Sequence, residues 1–67
     1  MTIEEIIAYL KMEGMAIGLR AREGDSTALK CMQAYQFFYN CPGDQMGQVL
    51  LEDAIKEYIQ KQKETVN

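Results

Sequence analysis

The residues able to do chemistry are few, and most gather in one stretch. Arg20, Arg22, Ser26 and Thr27 fall within eight positions, interleaved with Glu23, Gly24 and Asp25. Two guanidinium groups and two hydroxyls beside the start of a helix are the parts of an anion site. Free backbone N–H groups at a helix N-terminus attract phosphate, and arginine adds bidentate contacts. The plainer account is that the arginines serve the dipole at the end of one helix while Asp25 or Ser26 caps the next. Glu23 and Asp25 also repel an anion. A small anionic ligand such as a phosphate or nucleotide at this corner is therefore the alternative function.

No other constellation forms. The chain has no histidine, which removes the usual base of nucleophilic catalysis and the commonest transition-metal ligand. Glu4/Glu5 and Glu52/Asp53 are neighbouring carboxylates, but adjacent residues on a helix point about 100° apart. They read as solvated surface and cap charges. Phosphate-binding loops, dinucleotide fingerprints and EF-hand loops are missing. Cys31, within an expected helix, and Cys41, at the end of it, lie ten residues apart, about 15 Å along its axis. A disulfide needs Cα atoms about 4.4–6.8 Å apart, so the two do not pair within one chain. Cys31 reads as a small core residue, and Cys41 as an exposed residue before Pro42. Two cysteines without histidine do not complete a zinc site. The expectation is a protein that is not an enzyme and uses no cofactor and no metal.

The elements that position these residues follow from composition and local signals. Sixty-seven residues, 48% hydrophobic and 25% charged, suit one domain over residues 1–67 with a single modest core. A net charge of −3 argues against a dedicated nucleic-acid binder, whose affinity rests on phosphate contacts. Glu4, Glu5 and Glu13 interrupt any signal peptide, and no apolar run approaches the roughly 20 residues needed to span a bilayer. A cytoplasmic location is the default expectation.

Thr2-Ile3-Glu4-Glu5 has the pattern of a capping box, with Met1 and Ile6 placed as a hydrophobic staple. The first helix is expected from residue 3 to about 23, with Gly24 as the left-handed residue that ends it. The second runs over about 26–40 and stops at Cys41-Pro42-Gly43. The third, capped by Asp44, covers about 44–64, with Glu52/Lys56 and Glu57/Lys61 as (i, i+4) ion pairs. No strand-like alternation of useful length is present. The fold class is all-α, a small three-helix domain.

Turning each helix at about 100° per residue shows what it must bury. Helix 2 gives one stripe of Ala28, Cys31, Met32, Tyr35, Phe38 and Tyr39. Helix 3 gives one stripe of Leu50, Leu51, Ala54, Ile55, Tyr58 and Ile59. Helix 1 gives two. Ile3, Ile6, Ile7, Leu10, Gly14, Ile17 and Ala21 form the first; Ala8, Met12, Met15, Ala16 and Leu19 form the second, nearly opposite. A helix that is apolar on two faces must bury both. Helix 1 is either sandwiched between helices 2 and 3 or covered on its second face by another copy of the chain, and we expect the latter. Gly14 and Gly18 mark a place where two backbones approach closely or where the helix kinks.

The expected protein is a homo-oligomeric helical bundle that binds another macromolecule, as an accessory, adaptor or inhibitor. Its size and acidity suit a regulatory product of a phage or mobile element. Methionine and aromatic residues are enriched at interfaces, so Met12, Met15, Ala16, Leu19 and Phe37 are the expected contact residues for itself or a protein partner. The acidic residues of helix 3, Asp44, Glu52, Asp53 and Glu57, form a rim. Neither a membrane nor a nucleic acid is an expected partner.

Overall fold

Each helix starts where a short polar side chain can satisfy the free N–H groups of its first turn. The computed structural model describes residues 2–66, with side chains through residue 64. Met1, and with it the expected staple to Ile6, lies outside the described residues. Helix α1 spans Ile3–Arg22. The Thr2 hydroxyl accepts from the Glu5 N–H at 3.2 Å, and the Glu5 carboxylate accepts from the Thr2 N–H at 2.9 Å. The Thr2 N–H foremost, and the Thr2 side chain with it, holds the Glu5 carboxyl below its ordinary pKa. Gly24, at φ 98°, takes the left-handed conformation that turns the chain out of α1.

Helix α2 spans Ser26–Asn40 with Asp25 as its N-cap. Helix α3 spans Gln45–Val66, and the Asp44 carboxylate accepts from the Met46 N–H at 2.9 Å. The boundaries agree with the caps in the sequence to within a residue or two. Among the described residues, no helix is long and apolar enough to cross a membrane.

Helix α2 takes the middle place. It packs along both other helices, whereas α1 and α3 touch over a shorter stretch. The sandwiched arrangement with α1 at the centre is therefore not the one adopted. The core draws Ile6, Leu10 and Ile17 from α1, and Leu51, Ile55 and Tyr58 from α3. Small residues of α2, namely Ala28, Cys31 and Ala34, fill the space between them. They let the neighbouring backbone come close. The Cys31 thiol donates to the Ala54 carbonyl at 3.2 Å, and burial pushes its pKa up to about 11. Cys31 and Cys41 are both free, the first buried and the second exposed.

Two expectations about packing need correction. The stripe read for α2 is turned by roughly 60° from the arc it buries. Thr27 and Ala34 face the core, while Met32, Tyr35 and Tyr39 are exposed. The cause is the middle position: the arc must serve α1 and α3 together, and it closes over small side chains where α3 comes near. Leu50, assigned to the buried stripe of α3, is also exposed.

Ion pairs divide in the same way. Glu52 and Lys56 pair along α3 at 3.3 Å. Both members of the expected Glu57/Lys61 pair reach across to other elements: Glu57 to Lys30 at 3.5 Å and Lys61 to Asp25 at 3.1 Å.

Candidate functional site

The first stripe of α1 is folded inward, and the second is not covered. Met12 is 80% exposed, Met15 83% and Leu19 52%. Ala8 is exposed beside them and Ala16 half-buried. A methionine or leucine left fully in water forgoes about 1.5–3 kcal/mol of burial, so several on one face form an apolar patch that the chain itself leaves uncovered.

This face extends onto α2. A groove of about 420 Å³ between the helices is lined by Met15, Gly18, Leu19, Arg22 and Met32. A second depression, adjoining at Met32, carries the surface on to Leu29, Tyr35 and Tyr39. The Tyr35 and Tyr39 rings stack with centroids 6.4 Å apart. Sequence reasoning found the α1 half of this surface and missed the α2 half, because Met32, Tyr35 and Tyr39 fit the period of a core stripe. No atom of the chain, outside the helix's own local backbone, comes within 4 Å of a Cβ built on Gly14 or Gly18. The close crossing expected at these glycines does not occur inside the chain.

Phe37 lies elsewhere. It lines a separate groove of about 340 Å³ between α2 and α3, with Ala34, Leu50 and Ala54 as its apolar floor and Lys30, Asp53 and Glu57 on its rim. A Cβ on the buried Gly47 would stand 3.1 Å from the Phe37 ring, so glycine there allows the ring to lie against α3. Met12, Met15, Ala16 and Leu19 thus share one side of the molecule, and Phe37 occupies another. The acidic rim expected from α3 belongs to the Phe37 groove, through Asp53 and Glu57.

The corner between α1 and α2 does not gather its four residues. Arg20 donates to the Tyr58 hydroxyl and lies over that ring, 5.7 Å from its centroid. Arg22 is exposed and borders the methionine groove. Two residues along a helix turn the side chain by about 200°, which sends the two arginines apart. Ser26 is exposed and Thr27 buried. The start of α2 already holds a carboxylate. Asp25 Oδ1 accepts from the Thr27 N–H at 3.0 Å, the Thr27 hydroxyl at 2.7 Å and the Ala28 N–H at 3.3 Å. Lys61 donates to the same oxygen at 3.1 Å. The Thr27 and Lys61 bonds hold the Asp25 carboxyl well below its ordinary pKa.

Among the described residues, no three acidic, cysteine or histidine side chains are placed to hold a metal ion together. Comparison of the chain with models of protein families, with curated proteins and with solved structures finds no match.

Proposed function

We propose that the chain is a non-catalytic helical protein that self-associates and binds another macromolecule, as an accessory, adaptor or inhibitor. The observation that carries this reading is the exposure of Met12, Met15 and Leu19 on a helix whose opposite face is the core. Total surface supports it. The chain exposes 4822 Å², against about 4,300 Å² for a compact monomer of its 7.7 kDa mass.

The two apolar surfaces lie on different sides, so association through one leaves the other open. The methionine face of α1 and α2 serves the copy of the chain. The Phe37 groove, with Asp53 and Glu57 beside it, serves the second partner. Aromatic anchors in apolar clefts are the usual centres of protein contact.

Met15→Glu tests the first half. Met15 is exposed within one chain, so the variant should keep its helical circular dichroism while its light-scattering mass falls to that of a monomer. Loss of helicity in the variant, or an assembly mass equal to that of the parent chain, would count against an interface at this face.

A further inference from the structure

The methionine face carries its own complement. Glu4 and Arg22 are both exposed on α1 and stand eighteen residues apart. Eighteen residues is five whole helical turns, so the two side chains project in one direction, about 27 Å apart along the axis. Met15 points within about 20° of that line, with Gly18 on one flank and Met12 and Leu19 on the other. Lys11 also lies within about 20° of the line, on the side away from Met15; the opposite charges at its two ends match the same line rotated by 180°. A two-fold contact requires this kind of self-complementarity.

We infer that a second copy of the chain binds this face, with α1 antiparallel to its counterpart about a two-fold axis level with residue 13. The inference rests on the self-association proposed above and names its geometry. Glu4 of each copy then meets Arg22 of the other. Met12 and Met15 of both copies cluster beside the axis. Gly18, where an added Cβ would have 4 Å clear of all but its own chain neighbours and local helix backbone, gives the facing helix room to enter the groove beside Met32. That supplies a use for a glycine that costs about 1 kcal/mol in a helix interior.

Area agrees with the occupant. At roughly 200 Å² for a large side chain, the exposed fractions of Met12, Met15, Leu19, Met32, Tyr35 and Tyr39 present on the order of 700 Å². A stable interface takes about 800 Å² from each partner. Of the like charges on α1, only Lys11 falls within the contact. Glu5 and Glu23 are also five turns apart, but their line is about 100° away, and the Glu5 carboxylate is tied to the Thr2 N–H. Lys11 lies near the axis and carries its ammonium to water on its long stem.

Charge reversal tests the register. Glu4→Arg and Arg22→Glu, each alone, replace two attractive pairs per dimer by two repulsive ones, and each should weaken dimerisation on the order of tenfold in low salt. The double variant should regain most of the parent affinity in sedimentation equilibrium. Both reversals oppose the helix dipole, so recovery in the double variant has no source in helix stability. If the parent chain dimerises and the double variant is no tighter than the singles, this register is wrong while self-association stands. If the parent chain is a monomer throughout the micromolar range, both fail. A parallel pairing would set Glu4 against Glu4 and Arg22 against Arg22, so either single reversal would leave the balance unchanged.

Discussion

At the scale of single residues, Arg20, Asp25 and Thr27 make their polar contacts within the fold. Asp25 satisfies the first turn of α2 and anchors Lys61 from α3. A carboxyl held below its ordinary pKa in the folded state contributes stability above the unfolded value, and that contribution disappears as pH falls through the folded value. Asp25→Asn keeps a capping side chain and removes the charge. In urea unfolding the parent should be the more stable at pH 7, and the gap should close as pH drops below about 4, the unfolded aspartate value. A gap that is constant between pH 7 and pH 2.5 would show that the charge of Asp25 is not what matters. The arginine corner was legible in composition and illegible in geometry. Arg20 and Arg22 are neighbours in the chain, but the helix directs one to Tyr58 and the other to the methionine groove.

At the scale of elements, the helices and their ends were readable because each boundary is a local event. Thr2 with Glu5, Gly24, Asp25 and Asp44 act within a few residues of themselves, and tertiary packing does not have to be known. The buried arc of α2 was not readable in this way. It depends on where two other helices lie, and the large side chains of Met32, Tyr35 and Tyr39 outweigh Ala34 in any count of apolar residues. The arc instead favours small residues. Ala28 is fully buried where α2 meets its neighbours, so Ala28→Leu should overpack the core and cost about 1–3 kcal/mol, read from the urea midpoint. An unchanged midpoint would contradict close packing at that point of α2.

At the scale of the whole molecule, the two-sided α1 was visible from its period alone, and within the chain the structure leaves its second side open. The bound is physical: a chain of this size has two further helices, and α2 and α3 are both spent on the first stripe and on each other. What no period reveals is that Phe37 sits apart from the methionine face, since that separation exists only once α2 is placed between α1 and α3. In the function proposed above, the two apolar surfaces on different sides join two neighbours at once. Sedimentation equilibrium of the unmodified chain at micromolar concentration tests this most directly. The account predicts a mass of about twice 7.7 kDa, as expected of the commonest closed symmetry. A stable helical particle of 7.7 kDa across that range would contradict it.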